Sequence, residues 1–466
     1  MTILIQGGEV VTDSERYHAD ILCEGETIAR IGQHLTAPAG AEIIDARGCH
    51  VFPGFIDPHV HIHLPFMGTH AKDTYESASR AAVLGGTTTL IEMCCPARDD
   101  DPVEAFEVWM SKAVGHSICD FSFHMGVTRF DETTPAALTS IVRRGISSFK
   151  VFLAYKGAFG VDDAELYRTL QLAKSLGVIV TAHCENETLV SERSRELLAA
   201  GKCDPAHHHE SRPPQVEAEG VNHLMTFAEL TGCATYIVHL SCAEALERAL
   251  AARKRGVRVT IETLIQYLVL DKQDAERGGF EGAKFVMSPP LRDVRNQEVL
   301  WRALAAGDID TVATDHAPFD FATQKSMGAS DFTKIPNGIP SLQERVSLLY
   351  THGVLPGRIT LHDLVRIAST TVAQTFGLYP RKGAIAVGSD ADLVIFDPAA
   401  RSTISAATHA MNVDYSAFEG WERCGCARDV LVRGTRVVRD GTCTDRVGLV
   451  GHVGHGQFIA RTPSHF

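Results

Sequence analysis

The sequence predicts an α/β fold: a (β/α)8 barrel joined to a small β-domain that is built from both chain ends. Three observations carry this reading. Eight short apolar runs alternate with helix-like segments through the middle of the chain. The two ends share another style, short strands broken by turns. Six side chains suited to a metal site, His59, His61, Lys150, His183, His239 and Asp315, lie at or near the ends of five of the eight runs. A parallel barrel delivers its reactive groups in this way, from many strand ends onto one face.

The elements follow in order. Ile3–Ile5, Ala19–Cys23, Thr27–Ile31 and Ala41–Asp45 read as strands separated by Gly-, Asp- and Pro-containing breaks. The barrel runs are Val51–His61, Thr87–Glu92, Phe121–Val127, Gly145–Leu153, Val178–His183, Thr235–His239, Val257–Glu262 and Thr311–Asp315. Their nearly continuous apolar character suits strands buried on both faces. Asp163–Leu176 and Ala243–Arg255 are amphipathic helices between them. After residue 380 short strands return at Asp392–Phe396, Arg428–Arg433 and Thr435–Arg439. Neither end can bury much surface alone, so the two ends are expected to pair. The expected division is 1–52 and 381–466 for the small β-domain with its tail, and 53–380 for the barrel.

Composition narrows the function. The chain has 466 residues, of which 45% are hydrophobic and 22% charged, ordinary for a protein with a full core. Asp and Glu outnumber Lys and Arg by 57 to 44, a net charge of −13, and no dense basic run occurs. Nucleic-acid and anionic-membrane partners are therefore not expected. No apolar run reaches the ~20 residues that span a bilayer, and the start shows no signal-peptide pattern. The 12 cysteines form no CxxC pair, which fits free thiols in a cytoplasmic enzyme.

The chemistry begins at Pro53–His63. Alternate residues of an extended strand point the same way, so His59 and His61 can reach one ion. His63 shares the spacing, and spacing alone does not choose the pair. Lys150 sits in Ser147–Leu153, a stretch too apolar for a bare ammonium. It either snorkels to a carboxylate at the barrel rim or is neutral, since burial lowers a lysine pKa by up to about 5 units. A neutral amine can add CO2, and the carbamate's two oxygens can bridge two cations. His183, His239 and Asp315 each close a run; singly they read as core histidines and a helix cap. Two divalent cations bring four positive charges. Asp315, a lysine carbamate and a hydroxide offset three, leaving a charge that suits polarising a neutral carbonyl. Nitrogen and oxygen donors fit Zn2+, with Mn2+ or Co2+ as alternatives.

These residues, in Gly54–His61, Phe149–Gly157, His183–Asn186, Ser288–Arg292, Ala313–His316 and Phe332–Pro340, resemble the cyclic amidohydrolases of the dihydropyrimidinase and hydantoinase family. Phe376–Gly383 and Gly388–Asp392 extend the likeness into the small domain. The resemblance implies a distorted (β/α)8 barrel with a β-sandwich formed by both ends. It implies a two-metal centre in which His59, His61 and Asp315 hold one ion, His183 and His239 the other, and N6-carboxylated Lys150 bridges them; His63 is then not a ligand. It further implies Asp315 as proton carrier, Tyr155 as oxyanion donor, backbone groups of Ser288 and Asn337 as a clamp on the substrate, and a homotetramer.

The implied substrate is a small cyclic amide. His63 stands where dihydroorotase-like relatives carry an arginine for a substrate carboxylate. Tyr155 and the loop near Asn337 differ from allantoinase-like relatives. Both features favour dihydropyrimidines or 5-substituted hydantoins, opened to N-carbamoyl amino acids; allantoinase or another cyclic-imide hydrolase is the alternative. A metal-free scaffold of the same fold, as in the collapsin-response mediators, is disfavoured because every ligand position is filled. Leu64, Phe66, Phe152 and Phe159 are the expected neighbours of the ring substituent. His207, His208 and His209 lie away from the strand ends and are expected to be solvent-exposed or at an interface.

Overall fold

The eight barrel strands form in the expected order. The computed structural model describes residues 1–443 and 453–463, so part of the tail expected for the small domain lies outside the described residues. The strands are Phe55–Val60, Thr87–Cys94, Asp120–Gly126, Ser148–Phe152, Ile179–His183, Thr235–Ile237, Val259–Leu264 and Thr311–Ala313. Each pairs in parallel with the next. A parallel bridge from Val60 to His316, with the His61 N–H donating to the His316 carbonyl at 2.8 Å, joins first strand to last. Helices such as Asp163–Leu176 and Ala243–Lys254 fill the crossovers. Asp163–Leu176 starts on an Asp162 capping box with Glu165 and stops at Gly177, whose φ of 70° is the left-handed conformation glycine adopts freely.

Period two sorts the strand side chains between two cores. Phe149 and Val151 join the large core beneath the helices, as do Val180, Ala182 and Ile261. Ile56, Ile91, Met93, Phe152, Ile179 and Tyr236 form a second cluster. Ser148, Lys150 and Phe152 share the other face of their strand from Phe149 and Val151, so the alternation that buries the phenylalanine beneath the helices turns Lys150 the opposite way.

The run Val51–His61 is two strands rather than one. His50–Pro53 joins the end-built sheet, pairing with Thr2–Val11 and with Leu393–Thr403, whereas Phe55–Val60 opens the barrel. Gly54 marks the change. A Cβ there would meet Thr88 Oγ1 at 2.0 Å and Asp392 Cβ at 2.9 Å, so the chain passes where a side chain has no room. The sheet runs Thr442–Cys443, Thr435–Arg439, Glu422–Val432, Leu393–Thr403, His50–Pro53, Thr2–Val11, Arg16–Glu24, Thr27–Gly32, with Glu42–Asp45 parallel to Thr2–Val11. Its own core includes Ile3, Ile5, Ile21, Ile44, Val51, Leu393 and Leu431.

A buried charge network pins sheet to barrel. Lys382 Nζ donates to Asp120 on the third barrel strand at 2.6 Å and to Asp392 at 2.7 Å, and Arg433 Nε donates to Asp120 at 3.0 Å. Every carboxylate in it is matched by a cation, the condition under which buried charge is tolerated. No helix of the described residues is long and apolar enough to cross a membrane.

Candidate metal centre and active site

His59 and His61 reach one oxygen of Asp315. His59 Nε2 lies 3.1 Å and His61 Nε2 3.0 Å from Asp315 Oδ1, and the three ligand atoms all fall within 4.8 Å of one another. The fold brings them together from the first and last barrel strands, neighbours once the barrel closes: His59 ends the first strand with Val60, and Asp315 follows the eighth by two residues. On the other side of His59, Nδ1 lies 2.7 Å from Glu262 Oε1. Glu262 also accepts the His239 N–H at 2.9 Å and the Tyr236 hydroxyl at 2.8 Å, two hydrogen bonds that favour its ionised form against the burial that pushes its pKa up to about 8. The imidazole proton then belongs on Nδ1, and the Nε2 lone pair faces a carboxylate oxygen. Acceptor facing acceptor is unfavourable unless a cation lies between them.

His183 and His239 stand beside this group. Their rings are 4.6 Å apart at the centroids and nearly perpendicular, and the His239 ring is 5.5 Å from that of His59. Burial holds the His59, His183 and His239 pKa values below that of an ordinary histidine. Neutral imidazoles result, the form that binds metal. His183 Nε2 is 2.8 Å from Glu185, which also takes a 2.5 Å hydrogen bond from Arg212.

Lys150 is fully buried and its Nζ has no hydrogen-bond partner among the described residues. Burial, opposed by the Asp315 charge, lowers its pKa. An amine in this state is costly unless something completes it. His61 Nδ1 is a second buried nitrogen without a partner. These unmatched atoms, with the His59 Nε2 lone pair facing Asp315, fit a centre that takes cations.

All the candidate residues line one cavity. His59, His61, Leu64, Phe66, Lys150, Phe152, Tyr155, Phe159, His183, His239, Ser288, Asp315 and Asn337 surround about 50 Å³, together with Ala317 and Gly338. Tyr155 and Asn337 also border an outer chamber of about 470 Å³. Phe66 meets Tyr155 edge to face at 5.4 Å, and Phe152 lies 5.6 Å from Phe159. The Tyr155 phenol sits by Ser288 and Asn337, and burial raises its pKa.

The loops that shape this cavity are strained. Among the described residues eight non-glycines have positive φ, and five of them, His63, Met67, Tyr155, His239 and Asp315, lie on these loops. Each such conformation costs roughly 1–3 kcal/mol and persists only where surroundings enforce it. At Tyr155 one carbonyl accepts the N–H groups of Ala158, Phe159 and Gly160, which closes the turn.

His63 stays outside the His59, His61 and Asp315 group. The expectation for the histidine run needs correction. His208 is buried, with Nε2 2.9 Å from the Met287 carbonyl and 3.4 Å from Ser288 Oγ, while His207 and His209 pair with Glu210 and Glu276 and are only partly covered. A short helix, His208–Ser211, turns the middle ring inward, and tripeptide composition carries no sign of that. Nothing in the sequence marks Glu262 or Lys325 as a partner of the site, except that Glu262 closes the run Val257–Glu262, the same signal that marks His183, His239 and Asp315.

With this geometry in place, comparison with known proteins gives a consistent answer. Residues 50–437 match the model of the amidohydrolase family. A D-hydantoinase of Geobacillus stearothermophilus is 47% identical over 99% of this chain and 97% of its own length. The chain belongs to the amidohydrolase family. Among solved structures, a D-hydantoinase (dihydropyrimidinase) from Thermus sp. superposes with a TM-score of 0.96 at 58% identity, covering all of both chains. An L-hydantoinase (dihydropyrimidinase) from Arthrobacter aurescens gives 0.89 at 30% identity, covering 98% of this chain and 99% of its own. This amidohydrolase thus shares one fold with relatives named for opposite substrate hands.

Proposed function

We propose that this chain hydrolyses the ring amide of dihydropyrimidines or 5-substituted hydantoins, releasing N-carbamoyl amino acids, with two divalent cations held by its own side chains. The observation that carries this is the buried, unpartnered Lys150 amine in one cavity with four imidazoles and Asp315. His59, His61 and Asp315 would hold one ion, and His183 and His239 the other. Lys150 would serve both as a carbamate: its neutral nitrogen forms a bond to the carbon of CO2 and loses one proton. The nitrogen and oxygen donors suit Zn2+, and Mn2+ or Co2+ can occupy the same set. When bound, such ions lower the pKa of a water and polarise a carbonyl.

The chain's own groups do the remainder. Asp315 takes a proton from the attacking water and gives it to the ring nitrogen as the C–N bond breaks. One water is consumed; the carbonyl carbon gains its oxygen and the nitrogen its hydrogen. Tyr155 keeps its phenolic proton, because burial raises its pKa, and offers the O–H as a hydrogen-bond donor to the developing oxyanion. Backbone groups of Ser288 and Asn337 hold the planar –CO–NH–CO– edge, which presents alternating acceptors and a donor. Leu64, Phe66, Phe152 and Phe159 meet the substituent. Higher identity to the D-named relatives supports a preference for D-configured 5-substituted rings, and the family resemblance supports a homotetramer.

The experiment combines elemental analysis with a panel of dihydrouracil, 5-phenylhydantoin, allantoin and phthalimide, run on resolved enantiomers where they exist. Two metals per chain and turnover of the first two compounds are expected. A metal-free inert protein, or turnover of allantoin alone, would overturn the reading. Light scattering of the purified protein reads the assembly.

A further inference from the structure

One buried ammonium holds together the wall that carries Ser288 and Asn337. Lys325 is fully buried on the short turn Lys325–Gly328. Its Nζ donates to three backbone carbonyls, Val286 at 2.8 Å, Pro336 at 2.7 Å and Gly338 at 2.7 Å. Val286 lies two residues before Ser288, and Pro336 and Gly338 flank Asn337. The two segments also meet directly: the Gly338 N–H donates to the Val286 carbonyl at 3.0 Å, and Asn337 Nδ2 donates to Ser288 Oγ at 3.0 Å.

Among the described residues no carboxylate pairs with Lys325, and burial pushes its pKa well below the usual lysine value; the three carbonyl acceptors, which only a protonated amine with three N–H groups can serve together, oppose that and define the ammonium form. Burying an ammonium without a counter-ion is expensive, and the three carbonyls compensate only because each meets one of its three N–H groups. An apolar side chain could fill the space, but it would leave the Pro336 and Gly338 carbonyls without this donor. What the charge adds is direction: three acceptors on two segments are held at fixed distances from one atom. The neighbouring position acts on another wall. Gln324 Nε2 donates to Thr69 Oγ1 at 2.7 Å and to the His70 carbonyl at 2.8 Å. Thr69–His70 is the return strand of a hairpin whose first strand, Pro65–Phe66, supplies Phe66 to the cavity.

We propose that Lys325 is a positioning residue for recognition of the ring edge, setting the spacing of the Ser288 and Asn337 segments, and that Gln324 beside it positions the hairpin that meets the ring substituent. This rests on the functional reading above and extends it to residues behind the cavity wall.

The test uses metal-loaded full-length enzyme, with metal content measured for every variant. Lys325→Met is expected to keep its metal, to raise KM for dihydrouracil and 5-phenylhydantoin at least tenfold, and to weaken calorimetric binding of dihydrouracil in parallel. Gln324→Ala is expected to lower kcat/KM for 5-phenylhydantoin about tenfold while dihydrouracil, which has no substituent, stays within twofold. A merely structural lysine would lower the melting temperature without this split between KM and metal content. Should Lys325→Met fail to fold, Lys325→Gln, which keeps two N–H donors, is measured instead. Wild-type enzyme that neither binds nor opens either ring would sink both readings. Active wild-type enzyme whose Lys325 variant matches its KM, or whose Gln324 variant loses both rings equally, overturns this inference alone.

Discussion

The Glu187 carboxylate accepts the backbone N–H of Tyr155 at 2.5 Å and holds that residue where its φ is 64°. Its other oxygen accepts the Ser191 hydroxyl at 2.6 Å, one turn along the helix that Glu187 begins. A left-handed tyrosine needs such an anchor, and a carboxylate in the first turn of a helix is itself well placed. Glu187→Ala should therefore lower kcat about tenfold, the effect of losing about 1.4 kcal/mol of alignment. In a Tyr155→Phe background the same change should have no further effect on kcat. A double-mutant cycle on steady-state rates checks this, and additive losses would show that Glu187 acts elsewhere.

Lys150→Ala should lose bound metal and activity together. Short carboxylic acids supplied with Zn2+ should restore part of both, because they replace the missing carbamate oxygens. Elemental analysis before and after rescue reads the outcome; full activity in the variant would rule out a bridging role.

Glu344 is buried, and burial pushes its pKa up to about 7 from 4.5. The folded state thus favours the proton. Below pH 4.5 both folded and unfolded chains carry it and nothing is lost. Between pH 4.5 and 7 the unfolded chain releases it first, so stability falls, by an order of about 3 kcal/mol. Glu344→Gln should be more stable than wild type at pH 8 and equal to it near pH 4. Denaturant melts at the two pH values test the sign.

Arg461 folds back from the C-terminal segment into the barrel. Its Nε donates to Ser122 Oγ at 2.9 Å, its terminal nitrogen donates to Ser148 Oγ at 2.9 Å and to the Phe123 carbonyl, and burial lowers its pKa to about 9. Ser148 also contacts His124 at 2.6 Å and lies two residues before Lys150 on the same strand face. Arg461→Ala should cost about 3 kcal/mol, from lost hydrogen bonds and a polar cavity, with a lower melting temperature. A change within 0.5 kcal/mol would mean that the segment merely rests on the barrel.

Much of this molecule is legible along the chain. The eight barrel strands could be counted because parallel strands buried on both faces leave apolar runs, and Lys150 stood out because a charge inside such a run conflicts with its surroundings. The break at Gly54 was not legible. Apolar residues stand on both sides of it, Val51–Pro53 before and Phe55–Ile56 after, and only the approach of Thr88 and Asp392 divides the two strands. The burial of His208 is illegible for a related reason: a short helix turns one of three identical side chains inward. Lys325 gave no signal, since its partners are carbonyls that any residue carries.

By itself, then, the order of residues determined the alternation of elements, the joining of the two ends and the chemical types available at the strand tips, since these depend on local periodicity and composition. Only tertiary structure decided that His59, His61 and Asp315 converge within one ligand sphere and that Lys150 Nζ is left without a partner. The convergence depends on closing the barrel from Val60 to His316, which brings together groups more than 250 positions apart, and the bare amine on the alternation that turns Lys150 away from the helix-side core.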